Sequence, residues 1–252
     1  MADGMWTVLS GLRMRQQRID NVANRLANAG TVGFRRQVHL MREHRSSPEH
    51  AIVEQAPADM TLRHLPGDHV MVRSDGTQLR EEEGALSQTG RPLDLALMGA
   101  KGYFVVEAEQ GNELLTRDGR FKLSPEGNLQ TLDGAAVQGE GGGINLPPDT
   151  DPKTIQVLPG GELVVGDTNL GRLRLAYAPP DRLEALGNNR FKADQIEDAP
   201  EIQVAQGYQE QSTVNAVRAM VDLIENHRSF GAGMKMLASY KEVDQEAVRL
   251  LR

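Results

Sequence analysis

Three small groups of residues in this chain have a type and spacing that could do chemistry. His64, Asp68 and His69 offer imidazoles and a carboxylate within six positions, the raw material of a metal site. The six histidines, His39, His44, His50, His64, His69 and His227, form no H-E-x-x-H and no i, i+4 histidine pair joined by a carboxylate. They read as loop histidines, and no metal is expected. Glu81-Glu82-Glu83 could supply acid/base carboxylates, but a charge run ahead of a strand reads as a solvated edge. Glu83 and Asp94 are the least poor catalytic candidates. Gly139-Glu140-Gly141-Gly142-Gly143 is rich enough in glycine to suggest a phosphate cradle. That chemistry needs a helix N-terminus or a G-x-x-x-x-G-K-[ST] loop, and here Ile144 and Pro147-Pro148 follow, so the run reads as a turn. No G-x-S-x-G elbow is present. The chain is expected to have no catalytic residues and no cofactor.

Composition points the same way. Aromatics make up 4% of 252 residues and glycine contributes 26. That is thin material for the apolar pocket an enzyme usually needs. Cysteine is absent, which excludes disulfides, thiolate metal sites and cysteine nucleophiles. Residues 1–50 carry eight arginines against four acids, whereas residues 51–207 carry 14 basic and 25 acidic residues. A basic N-terminal end therefore precedes an acidic body. It lacks interleaved aromatics and the whole chain is −7, so nucleic-acid binding is not expected. No apolar run approaches 18 residues, so no membrane span is expected. The N-terminus lacks the h-region of a cleaved signal.

Any function must then come from the elements themselves. Met5, Leu9, Leu12, Gln16, Ile19, Ala23 and Leu26 step by four and three, an a/d seam with one polar position. Trp6, Val8 and Val22 widen it, and Arg13, Arg15, Arg18 and Arg25 lie mostly off it. Asn28-Ala29-Gly30 supplies a stop, with Gly30 suited to a left-handed position. At the other end Met220, Leu223, His227, Phe230, Met234, Leu237, Lys241, Asp244, Val248 and Leu251 repeat the pattern. Val217, Val221 and Ile224 add a second stripe, and Ser212 or Thr213 is the expected N-cap. Gly231 and Gly233 each cost about 1 kcal/mol inside a helix. Either the helix bends there or another helix approaches closely.

Between these ends the period changes. Tyr103-Phe104-Val105-Val106, Leu163-Val164-Val165 and Leu173-Arg174-Leu175-Ala176-Tyr177 read as strands. Asp118-Gly119, Glu126-Gly127-Asn128, Asp133-Gly134 and Pro159-Gly160-Gly161 read as turns. The spacing is that of a β sandwich or barrel. The expected fold is α+β: residues 1–36 and 208–252 as a coiled-coil-like domain of terminal helices, 37–80 as an extended connector with room for one hairpin, and 81–207 as a central all-β domain. Helices with such broad stripes leave apolar surface exposed in a lone monomer, which favours association.

The chain resembles the bacterial flagellar basal-body rod and hook family in three blocks. Asn21-Val22-Ala23-Asn24-Arg25-Leu26-Ala27-Asn28 with Thr31-Val32-Gly33-Phe34-Arg35 is similar to the family's A-N-N-L-A-N…T-x-G-F-K/R. The second block holds Gly84-Ala85-Leu86, Thr89-Gly90, Leu93-Asp94-Leu95-Ala96-Leu97 and Gly102-Tyr103-Phe104. It continues through Leu115-Thr116-Arg117-Asp118-Gly119-Arg120-Phe121 to Gly127-Asn128-Leu129. Gln206-Gly207-Tyr208-Gln209-Glu210-Gln211-Ser212-Thr213-Val214-Asn215, with Met220, Ile224 and Arg228-Ser229-Phe230, resembles the family's G-x-L-E-x-S-N-V…E-M…I…Q-R-x-Y. Arg25, Thr213 and His227 depart from that pattern. Gly141–Pro148 and Arg228–Leu237 resemble the proximal-rod type, with distal rod and hook as alternatives.

The resemblance implies a structural subunit that builds a helical, torque-bearing tube through its terminal helices and serves motility. Implied partners are copies of itself, other flagellar rod proteins and the flagellar type III export apparatus. The implied place is the periplasmic rod of the basal body, reached without signal cleavage. The implied subunit contacts are Leu9, Leu12, Ile19, Asn24, Leu26, Phe34, Val217, Met220, Val221, Ile224, Phe230, Met234 and Leu237. Two other classes remain at this stage: a hydrolase clearing peptidoglycan, and a binding module whose helices fold on a non-flagellar partner.

Overall fold

A computed structural model describes residues 2–46, 69–107, 111–147, 150–199 and 201–250. Helix α1 (Ala2–Ala27) leads to β1 (Gln37–Ser46) and β2 (His69–Leu79), which pair with each other. The body follows as β3 (Leu86–Gln88), β4 (Leu95–Leu97), β5 (Tyr103–Glu107), β6 (Glu113–Thr116), β7 (Phe121–Leu123), β8 (Leu129–Thr131), β9 (Ala136–Gly139) and β10 (Gly142–Gly143). It continues with β11 (Ile155–Val157), β12 (Glu162–Val165), β13 (Thr168–Arg172), β14 (Leu175–Tyr177), β15 (Leu183–Gly187), β16 (Arg190–Ala193), β17 (Glu197–Asp198), β18 (Val204–Gln206) and β19 (Tyr208–Glu210). Helix α2 (Ala216–Leu250) ends the described chain.

The chain divides into two compact units. One holds residues 1–24, 39–77 and 217–252, and the other 25–38 and 78–216. The first combines the two helices and the β1–β2 pair. The second is the β unit.

The largest sheet among the described residues has ten strands, running β15-β16-β6-β5-β9-β8-β7 with β10, β14 and β17 attached. Its central strand β5 is buried on both sides. Phe104 and Val106 point into one apolar cluster with Leu95, Phe121 and Leu163, while Tyr103 and Val105 point into a second with Leu115 and Phe191. Strand side chains alternate faces, so an unbroken apolar run must have apolar packing on both. Edge-to-face ring contacts close each cluster: Phe104 on Phe121 at 5.1 Å and Tyr103 on Phe191 at 5.7 Å.

The four expected turn segments all fall between strands. Two local expectations fail. Gly30 does not take a left-handed backbone; Gly33 does, at φ 69°. Helix α2 starts at Ala216 and not beside a Ser212 or Thr213 cap, because both hydroxyls are used elsewhere. Ser212 accepts from the Val214 N–H, and Thr213 is drawn into the β unit as described below.

Candidate assembly site

Within the helical unit, α1 buries Leu12, Ile19 and Val22 and exposes Gln16, Ala23 and Asn24. The covered stripe therefore passes through Val22, and Gln16 and Ala23 lie outside it. On α2 the covered positions are Ala219, Leu223, Asn226, Phe230, Gly233 and Leu237, stepping by four and three. Met220, His227 and Met234, expected in that seam, face outward instead. The two helices touch where Gly233 meets Leu12 and Arg15: a Cβ on Gly233 would lie 2.7 Å from Leu12 Cδ2. Gly231 has nothing within 4 Å of the same position. Of the two glycines, one is a close-approach site and the other is not, and α2 runs as one helix through both.

The expected contact residues sort by exposure. Leu12 and Ile19 are already covered within their own unit, and Leu9, Leu26, Phe34, Phe230 and Leu237 are partly so. Val217 is 72% exposed, Met220 and Val221 50%, Ile224 53% and Met234 47%. At 100° per residue, Val217, Met220, Val221 and Ile224 centre about 150° from the covered stripe of α2. A separate exposed group, Met236, Tyr240 and Val243, lies further along on a different face. The side chains of Met5, Trp6, Asp244 and Val248, and Leu251 itself, lie outside the described residues.

Within the β unit, residues 33–36 and 209–213 run side by side. Gly33 N–H donates to the Glu210 carbonyl at 2.7 Å, Thr213 N–H to the Phe34 carbonyl at 3.0 Å, and Arg36 N–H to Thr213 Oγ1 at 2.9 Å. Beneath this lies a buried triad. Arg117 Nε donates to Glu210 Oε2 at 2.7 Å, and Arg35 Nη2 reaches Glu210 Oε1 at 3.4 Å. All three side chains are at most 1% exposed. Arg35 Nη1 donates to the Ala100 carbonyl, and Arg117 Nη1 and Nη2 donate to the carbonyls of Lys101, Gly102 and Gly99, while Arg35 Nε is buried without a partner among the described residues. Burial, and next the charge of Arg35, push the Arg117 guanidinium below its ordinary value against the pull of Glu210. Gly33 is required here, since a Cβ would lie 2.6 Å from the backbone of Arg117 in a left-handed conformation that side chains resist. No local pattern announces this triad, since Glu210 stands 93 positions from Arg117 and 175 from Arg35.

The acids weighed for catalysis are occupied. Asp94 accepts from Arg91 Nε and Nη2 at 2.8 Å each, and from Thr89 and Gln209 at 2.7 Å each. Burial alone would raise its carboxyl. The hydrogen bonds from Arg91, Thr89 and Gln209 and the Arg91 charge outweigh that and hold it below the usual carboxylate range. A general acid needs the opposite shift. Glu83 accepts from Gly99 N–H at 2.8 Å, and Glu82 pairs with Arg36 at 2.5 Å. His64 and Asp68 lie outside the described residues. Among the described residues no group of three or more His, Asp or Glu is placed to hold a metal, and no helix is long and apolar enough to cross a membrane.

The chain is an α+β protein whose two ends form one helical unit and whose flanking segments close over a buried triad in a β unit. Residues 205–250 match the C-terminal model of flagellar basal-body rod FlgEFG proteins, and residues 97–165 match the flagellar hook protein FlgE/F/G D1 domain. A flagellar basal-body rod protein FlgF of Caulobacter vibrioides is 31% identical over 100% of this chain and 98% of its own. FlgF of Salmonella typhimurium is 32% identical over 91% of this chain and 90% of its own. The rod protein FlgG of Agrobacterium fabrum is 29% identical over 93% and 94%. The chain belongs to the flagellar basal-body rod protein family, whose members are structural subunits of the rod.

Proposed function

We propose that this chain is a self-assembling rod subunit that adds to a helical tube through the outward face of α2, and that the tube transmits torque for motility. The observation that carries this is the stripe Val217, Met220, Val221 and Ile224, left exposed on the side of α2 away from its covered face. The second exposed group, Met236, Tyr240 and Val243, gives α2 two distinct faces. A tube that does not close into a ring needs such paired, non-identical contacts. Together with Leu9, Asn24, Leu26, Phe34, Phe230, Met234 and Leu237, these residues form the proposed subunit contact. Leu12 and Ile19 support it from within.

Magnitudes favour assembly over simple dimerisation. About half of each stripe residue remains to be buried, worth roughly 1 kcal/mol apiece. Four such residues give about 4 kcal/mol, which the roughly 4–15 kcal/mol cost of association offsets or exceeds. One stripe does not hold two free copies together, but a growing end that engages several faces at once does. Such a subunit stays monomeric until it reaches the tube.

The proximal-rod position rests on the likeness of Gly141–Pro148 and Arg228–Leu237 to that type. Other rod proteins are then its axial neighbours. Passage through the flagellar type III export apparatus, without signal cleavage, is proposed on the family likeness alone. The test is Ile224→Asp in cells. The subunit should fold but fail to enter basal bodies, and cells should lose motility. Normal rods containing the variant would overturn the reading.

A further inference from the structure

We propose that residues 204–213 are a closing strap without which the β unit does not fold, and that Glu210 is the residue that permits its docking. Two independent features support this. The first is backbone pairing. Strand β4 is the most deeply buried short strand, with Leu95, Ala96 and Leu97 at 2%, 0% and 1% exposure. Among the described residues its partner strand is β18, in the register Leu97↔Val204, Ala96↔Ala205 and Leu95↔Gln206. With the strap absent, a buried strand edge has unpaired N–H and C=O groups, each costly away from water. The second feature is charge. Arg35 and Arg117 are buried beside one carboxylate, and that carboxylate arrives on the strap. Two buried guanidiniums without it are the costly half of a broken ion pair.

The strap also reaches further than its two strands. The Gln206 side chain donates to the carbonyls of Pro92 and Ile155 and accepts from the Val157 N–H. The backbone of Gln211 passes so close to Gly84 that a Cβ there would sit 2.0 Å from its carbonyl oxygen. Glu210 Oε1 accepts from the Gly84 N–H at 3.0 Å. Segments near positions 35, 84, 95, 117 and 156 are thus joined by ten residues near the end of the chain. A chain appearing N-terminus first keeps this unit open until residue 213 of 252 is available. Its body therefore stays extended while most of the chain is made or moved. This inference concerns the folding of the isolated chain and stands apart from the assembly reading.

The test is hydrogen exchange by mass spectrometry on the purified full chain. In the native protein, peptides covering β4, β5, β6 and residues 204–213 should lose protection together as denaturant rises. Glu210→Ala removes the charge. Gly84→Ala blocks docking by bulk and leaves every charge in place. Each should lower protection in β5 and β6 at least tenfold, to the same extent as in the strap, whereas Leu186→Ala at an exposed site should change nothing. Complete loss of β-unit protection in both variants supports the proposal as well, because two chemically unrelated changes at one strap would share that outcome. Native protection in β5 and β6, with loss confined to residues 204–213 and β3, would overturn it.

Discussion

Gly233 of α2 packs directly against Leu12 of α1: a Cβ added to the glycine would stand 2.7 Å from Leu12 Cδ2, so the leucine tip must shift to admit one. Two residues away, Gly231 faces open space. The pair separates two effects that glycine has in a helix, backbone freedom and close approach.

Gly231→Ala should therefore stabilise the helical unit by about 0.5–1 kcal/mol, the helix-propensity difference between the residues. Gly233→Ala should forfeit that gain, and Gly233→Leu should destabilise by about 1–3 kcal/mol through overpacking against Leu12. Thermal melts of the full chain followed by helical circular dichroism measure all three. Equal stabilisation by the two alanines would show that Leu12 is not held at Gly233.

Gly33→Ala combines a left-handed backbone with a 2.6 Å approach to Arg117. A loss of at least 2 kcal/mol is expected, about twice the penalty of a Gly-to-Ala change at a site with positive φ and free space. Gly134→Ala is the comparison, at φ 93° with only a Gln130 side-chain atom near. Denaturant midpoints of the two variants give the difference.

Asp94 makes stability depend on acid. Its folded carboxyl sits below the unfolded value, so its contribution is complete above about pH 4, the ordinary aspartate value, and is lost as pH falls through the lower folded one. Asp94→Asn should cost about 2 kcal/mol at pH 7, the scale of hydrogen bonds to a charged group. It should also flatten the decline of stability below pH 4. Urea titrations at pH 7, 4 and 3 test both, and an unchanged pH profile in the variant would assign the acid sensitivity elsewhere. Asp133 is held low as well, with burial opposed by Thr131 and Arg190, and contributes to the residual slope.

Both terminal helices were legible in the sequence because their apolar spacing repeats over many turns. Which residue of each repeat is covered was not, since the stripes are broad and the covered face depends on what packs there. Val22 displaced Ala23, and Gly233 displaced Met234, for that reason. The start of α2 was misread at Thr213 because a cap and a neck residue use the same hydroxyl. Here Thr213 binds Phe34 and Arg36 across 179 and 177 positions. The strand run at Tyr103–Val106 was plain, but its burial on both faces follows from the ten-stranded sheet around it. Arg35, Arg117 and Glu210 all stood in recognised motif blocks. Local spacing could not reveal that they meet, since no periodicity links them.

Leu12 illustrates how the structure sharpens the central test. It is 5% exposed and packs within the subunit, so Leu12→Asp would break the helix pair before it could report on neighbours. Ile224, 53% exposed on the opposite face of α2, is the cleaner probe.

The most direct measurement is photo-cross-linking from position 224 in assembled basal bodies. The account predicts cross-links from position 224 to a second copy or another rod subunit, present in assembled rods and absent from purified monomer. The absence of any rod-subunit cross-link from 224 in motile cells would contradict it.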